Sequence, residues 1–247
     1  MTRLLASVMS VEEAQIALEC GADIIDCKNP ASGALGALPN ETISGIVKLV
    51  NRRHPVSATV GDLPMQPRVI CEAMRSKITT AVDYVKIGVF RNGLPNECIQ
   101  ALAPLTKQTS LIVVLFADKR PDLTLLPLIA HAGFAGVMLD TADKFKGGLR
   151  NQASHAFLVR FVARAKQFGL TAGLAGSLCA DDIAPLIELA PDYLGFRSAL
   201  CAANRSSMID RGKMMQIMSA VRDARSLSSS ATCRAELVEH LGRTEIR

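Results

Sequence analysis

Tryptophan is absent from this 247-residue chain, tyrosine occurs twice, and aromatic residues together make up 4% of it. A core short of large rings must be filled by aliphatic side chains, which suits a parallel sheet buried on both faces. Histidine is scarce as well: His54, His131, His155 and His240 stand apart, without the spacing that metal ligation needs. The seven cysteines are odd in number and contain no Cys-x-x-Cys pair, which argues against a disulfide framework and for reduced thiols in a cytoplasm. No Gly-x-Gly-x-x-Gly follows the first strand, no Walker loop is present, and there is no Gly-x-Ser-x-Gly elbow. Dinucleotide, nucleotide-triphosphate and serine acyl-transfer sites are therefore not expected. Nor is there a long apolar run. The amino terminus meets Glu12 and Glu13 too early for a signal peptide, and no later stretch escapes charge long enough to cross a bilayer, so no membrane partner is expected. The net charge of +5 is spread between acidic residues without a basic run, which disfavours nucleic acid and is compatible with small anions such as phosphates.

What is present is alternation. Short β-rich apolar runs at Arg3–Met9, Ala22–Lys28, Val56–Gly61, Tyr84–Val89, Leu111–Ala117, Gly136–Asp140, Leu170–Ala175 and Tyr193–Ser198 are separated by amphipathic stretches. The helices are expected near Val11–Cys20, Glu41–Asn51, Pro67–Ala81, Pro95–Gln108, Leu123–Ala132, Ser154–Phe168, Asp181–Leu189 and Asp210–Arg222. Repeated strand-helix units demand parallel strands with right-handed crossovers. Eight such units in a chain of this length predict one (β/α)8 TIM barrel, a fold of about 250 residues. Gly21, Gly133 and Gly169 each stand where a helix needs a left-handed cap before the next strand. The barrel is expected over 1–223 and a polar extension over 224–247, in which Ser226–Ser230 reads as a flexible spacer and Arg234–Leu241 as one more helix. The tail and the barrel helices offer surfaces for a homo-oligomer.

Barrel chemistry sits where strands end, so polar residues there need a reason. The second strand carries Asp26 and ends in Lys28, the third ends in Asp62, the fourth carries Lys86, the fifth ends in Asp118, and the sixth ends in Asp140 with Lys144 just beyond. A lysine embedded in an apolar strand is costly to bury as an ammonium unless paired. Desolvation and a neighbouring ammonium both lower its pKa and free the amine to attack a carbonyl. Each lysine alone could instead snorkel to water beside an aspartate, and Asp62 could simply cap a helix. Two strand lysines with four strand-end aspartates favour chemistry, with Asp26, Asp62, Asp118 and Asp140 as candidates to balance charge or carry protons. Gly176-Ser177 after the seventh strand and Arg197-Ser198 closing the eighth occupy the usual phosphate position of such barrels. Small residues there let backbone N–H groups approach an anion, the serines can donate, and Arg197 can supply charge. The small-residue loop from Asn29 to Ala37 could wrap a ligand or act as a lid.

Taken in order, Ala22–Pro30, Val56–Asp62, Tyr84–Gly88, Met138–Ala142, Leu174–Ser177 and Gly195–Arg197 resemble the (5-formylfuran-3-yl)methyl phosphate synthase family, a TIM-barrel lyase family of methanofuran biosynthesis and one-carbon metabolism. The resemblance implies that two molecules of glyceraldehyde 3-phosphate, the small-molecule substrate, join to give 4-(hydroxymethyl)-2-furancarboxaldehyde phosphate with loss of one phosphate and water. By the same resemblance Lys28 matches the Schiff-base lysine, Lys86 the proton acceptor, and Asp140 and Lys144 an acidic and a basic residue of the same site. No metal or organic cofactor is implied, because the lysine iminium is itself an electron sink. Cys27 departs from the pattern, standing where an aliphatic residue such as Val is expected, and the Ser-rich tail lies outside it. The residues alone leave two alternatives: a class I aldolase acting on another phosphorylated sugar, and a non-catalytic sensor of phosphorylated ligands.

Overall fold

The computed structural model describes residues 1–90, 92–143 and 146–244, with side chains as far as Ser228. Among these residues the strands β1 (Arg3–Val8), β2 (Ile24–Cys27), β3 (Val56–Thr59), β4 (Tyr84–Gly88), β5 (Ser110–Phe116), β6 (Gly136–Asp140), β7 (Thr171–Leu174) and β8 (Tyr193–Phe196) pair in parallel with their neighbours. β8 closes on β1, making a barrel in sequence order. Helices α1 (Val11–Glu19), α2 (Asn40–Val50), α3 (Pro67–Ile78), α4 (Pro95–Leu102), α5 (Leu125–His131), α6 (Leu149–Gln152), α7 (His155–Gln167), α8 (Ala180–Ile187) and α9 (Arg211–Thr244) lie along the connections and after β8. This is the (β/α)8 TIM barrel.

Period two along the strands sorts side chains into two compartments. Leu4, Ala6, Ile25, Cys27, Val113 and Leu139 pack outward with the helices. Leu5, Ile24, Ile112, Val114, Met138 and Tyr193 fill the inside of the barrel. Cys27 is thus a buried outward residue that a Val could replace, and burial pushes its thiol far up from the ordinary range. Inside, room is made by glycine: a Cβ on Gly173 would fall 2.2 Å from the Tyr193 ring.

Gly21, Gly133 and Gly169 all have positive φ, at 90°, 84° and 70°. Each terminates its helix with the paired bonds of a Schellman turn, for example Ala22 N to Ala17 O and Gly21 N to Leu18 O. The fourth helical segment differs from expectation. It stops at Leu102 and tightens into a 3-10 turn over Ala103–Lys107, because Pro104 lacks the N–H that the α-helical ladder requires. A short helix, α6, interrupts the connection between β6 and α7. The Ser226–Ser230 segment is also a correction: it is helical, and α9 runs through it without a spacer. Serine is a weak helix breaker, so a helix already nucleated upstream on the barrel carries on through it. Among the described residues no helix is long and apolar enough to cross a membrane. The described cysteines are free thiols.

Candidate active site

At the centre of the barrel Asp26 is paired in register with Ser7 on β1 and Ser57 on β3. Register puts all three on the inward face, where Ser7 Oγ donates to Asp26 Oδ2 at 2.8 Å and Ser57 Oγ donates to Oδ1 at 2.7 Å. The Lys86 Nζ lies 2.6 Å from the same Oδ1. Both charged groups are essentially dry, Asp26 being 0% and Lys86 2% exposed. Desolvation raises the Asp26 carboxyl, but the ammoniums of Lys86 and Lys28 outweigh it, so the group is held below the ordinary carboxylate range. For Lys86 burial is the leading influence and lowers it. The Asp26 charge opposes this, Lys28 acts with it, and the amine ends below the usual lysine value.

Lys28, the expected end of the second strand, is the first residue beyond the observed β2, and its N–H still bonds Val8 O at 3.0 Å. Its side chain faces inward by the same alternation as Asp26, and its Nζ stands 3.6 Å from Asp140 Oδ2. Asp140 is oriented by its own Oδ1, which accepts from the Thr141 amide at 2.7 Å. Lys28, Asp140, Ser7, Gly176, Ser177 and Ser198 line one cavity with about 370 Å³ of empty space at the carboxyl ends of the strands. Gly176 and Ser177 follow one another with φ of 116° and 49°. Both line the cavity, so their backbone groups are within reach of a ligand held there. Among the described residues the amides of Gly176, Ser177, Arg197 and Ser198 meet no protein acceptor.

Three of the candidate residues have other work in the structure. Arg197 lines the cavity, but its guanidinium is engaged within the protein. It pairs with the fully buried Glu13 of α1 and also donates to the carbonyls of Ser7, Arg205 and Ser207, so every N–H is taken. Asp62 accepts the amides of Ala34 and Leu35, both at 2.7 Å, and neither oxygen faces Lys28. That clasp seats Leu35 among the inner residues, so the Ala34–Gly36 part of the loop is docked as a plug while Ala31, Ser32 and Gly33 stay exposed at the mouth. A Cβ on Gly33 would come within 2.2 Å of Asp62, so the clasp requires glycine there. Asp118 accepts the amides of Ala142 and Asp143 and so shapes the turn after β6. Lys144 lies outside the described residues.

Period two carried enough signal to find Ser7 and Ser57, since both fall in step with inward residues. Arg205 carries no such signal. It sits in an irregular loop and is brought to the mouth of the cavity by tertiary contacts alone.

A family profile described as 4-HFC-P synthase matches residues 4–218. The chain belongs to the 4-HFC-P synthase family. An Archaeoglobus fulgidus relative named (5-formylfuran-3-yl)methyl phosphate synthase is 35% identical over 234 residues, covering 89% of this chain and 99% of that protein. A Methylorubrum extorquens protein, provisionally given the same name, is 41% identical over 221 residues, covering 89% and 92%. Among solved structures, a Thermus thermophilus phosphoribosyl anthranilate isomerase has a TM-score of 0.65 at 15% identity, covering 90% of this chain and 99% of that one. A Vibrio cholerae 3-keto-L-gulonate-6-phosphate decarboxylase has a TM-score of 0.66 at 10% identity, covering 90% and 96%. At such identities these two structures speak for the barrel alone, whereas the 4-HFC-P synthase family match spans β1 through the start of α9.

Proposed function

We propose that this chain makes a furan phosphate, 4-(hydroxymethyl)-2-furancarboxaldehyde phosphate, from two molecules of glyceraldehyde 3-phosphate. The reaction is that of a lyase of methanofuran biosynthesis and runs through a Schiff base on Lys28. The observation that carries the proposal is the vertical arrangement of two inward lysines, Lys28 against Asp140 at the cavity and Lys86 against Asp26 beneath it. The names of the family relatives support the same product class.

In this reading the Lys28 amine adds to the aldehyde of one glyceraldehyde 3-phosphate, while the other isomerises to its ketone. Water leaves to give an iminium, with Asp140 placed to move the proton and balance the positive nitrogen. The neutral form of Lys86, favoured by its burial, accepts the proton from the adjacent carbon. The enamine expels the phosphate from the third carbon, and that carbon, now the terminus of an enol, attacks the ketone carbon of the second triose and forms the new C–C bond. The primary hydroxyl of the former ketone closes the ring on the neighbouring carbonyl, two waters leave to give the furan, and hydrolysis of the imine returns Lys28. Summed, two triose phosphates lose one phosphate and two waters, with no net oxidation or reduction, so the lysine is the one electron sink the sequence of steps needs.

The test is incubation of purified protein with glyceraldehyde 3-phosphate as sole substrate. A growing ultraviolet absorbance and the mass of the furan aldehyde phosphate are expected. An aldol adduct without furan absorbance indicates an aldolase. Lys28→Arg keeps the charge but cannot form the imine. Borohydride trapping should attach a triose mass to the Lys28 peptide of the wild type and leave the variant unmodified. Turnover by the variant, or an unmodified wild-type peptide under turnover conditions, would exclude the mechanism.

A further inference from the structure

Arg197 lines the cavity beside Gly176 and Ser177, but its donors are consumed by Glu13 and three carbonyls, so it has none left for a ligand. Arg205 stands at that place. It is half-buried and lines both the cavity above Lys28 and the wider mouth bounded by the loops after β2, β6 and β8. Among the described residues its guanidinium makes one hydrogen bond, Nη2 to Gly33 O at 3.3 Å. Its other N–H groups meet no protein acceptor. Burial lowers the Arg205 guanidinium from its usual value, Asp140 opposing and Arg197 reinforcing the shift. A charge partly withdrawn from water, with a single acceptor among the described residues, is an arrangement an anion can complete.

Arg197 explains how Arg205 comes to be there. Its Nε donates to Arg205 O at 2.8 Å and its Nη2 to Ser207 O at 2.8 Å, so the buried arginine holds the backbone of the loop that carries the half-buried one. Glu13 anchors the pair and also accepts the amide of Ile209 at the far end of that loop.

We propose that Arg205 is the side-chain cation that clamps a substrate phosphate against the amides of Gly176, Ser177 and Ser198, with Arg197 as its positioning residue, so that the site selects phosphorylated over neutral carbonyl compounds. The guanidinium fork matches two phosphate oxygens at once, which a lysine cannot do. The ligand class rests on the triose phosphate reading above, but the anion site itself does not depend on the Schiff base.

The experiment therefore has two arms on the full chain. In the first, inorganic phosphate is titrated calorimetrically into wild type, Arg205→Gln and Arg205→Lys. The expected result is measurable binding by the wild type, at least tenfold weaker binding by the glutamine variant, and an intermediate loss for lysine. Equal affinity in wild type and Arg205→Gln, or no phosphate binding by the wild type, overturns the proposal. In the second arm, borohydride trapping at Lys28 is compared for glyceraldehyde 3-phosphate and unphosphorylated glyceraldehyde at limiting concentration. Arg205→Gln should lose trapping of the phosphorylated aldehyde and keep that of the neutral one, which also certifies the fold. An equal fall with both overturns the assignment. Absence of trapping in the wild type with either aldehyde counts against the Schiff base instead, while the phosphate arm still decides the role of Arg205.

Discussion

Asp26 Oδ1 receives both the Ser57 hydroxyl and the Lys86 ammonium, at 2.7 and 2.6 Å, so one buried carboxylate oxygen sets the proton affinity of the amine beneath the cavity. Burial pulls Lys86 down, and Asp26 is the principal influence holding it up. Activity that needs Lys86 as a neutral base should therefore rise with pH through a value below that of an ordinary lysine. Asp26→Asn removes the opposing charge and should move that rising limb to lower pH. Lys28 remains cationic as an iminium, so its downward influence persists during turnover. A pH profile of kcat for both proteins checks the sign, and a limb displaced to higher pH would contradict it.

Ser57→Ala should destabilise the fold by about 1–3 kcal/mol, because it leaves a buried carboxylate oxygen short of a donor. Ser57 also helps keep Asp26 ionised. The expected outcome is a lower urea midpoint with an unchanged slope, together with a several-fold fall in kcat.

Glu13→Gln strands the Arg197 charge inside the protein, where Glu13 is 0% and Arg197 8% exposed. Removing one partner of a buried pair costs about 3–5 kcal/mol. Chemical denaturation should register a loss of that order. The Arg205 loop should loosen at the same time, seen as faster amide hydrogen exchange over residues 204–209.

Asp62→Asn trades one acceptor oxygen for a donor, and one of the two amide bonds to Ala34 and Leu35 must break. Exchange of the amides of residues 31–37 should quicken and KM should rise as the plug undocks. Lys28 should still trap an aldehyde, because Asp62 does not contact it. Loss of trapping would mean that Asp62 has a role in the chemistry itself.

The barrel and its inner lysines were readable before any coordinates because they rest on short-range rules. Strand-helix alternation sets the layers, and positive-φ glycines end the helices at Gly21, Gly133 and Gly169. Period two alone places Asp26, Lys28, Lys86 and Asp140 on the inward side, since neighbouring side chains in a strand must face opposite ways. The same rule could have selected Ser7 and Ser57.

Loops obey no such period, and their residues took their roles from what the closed barrel brought beside them. The donors of Arg197 are taken up inside the protein because Glu13, 184 residues away, offers a buried carboxylate across the β8–β1 closure. Asp62 and Asp118 face the amides of neighbouring loops, and Arg205 faces the cavity because Arg197 grips its backbone. Such choices are settled by which hydrogen-bond partners meet in space, and distance along the chain carries no information about that.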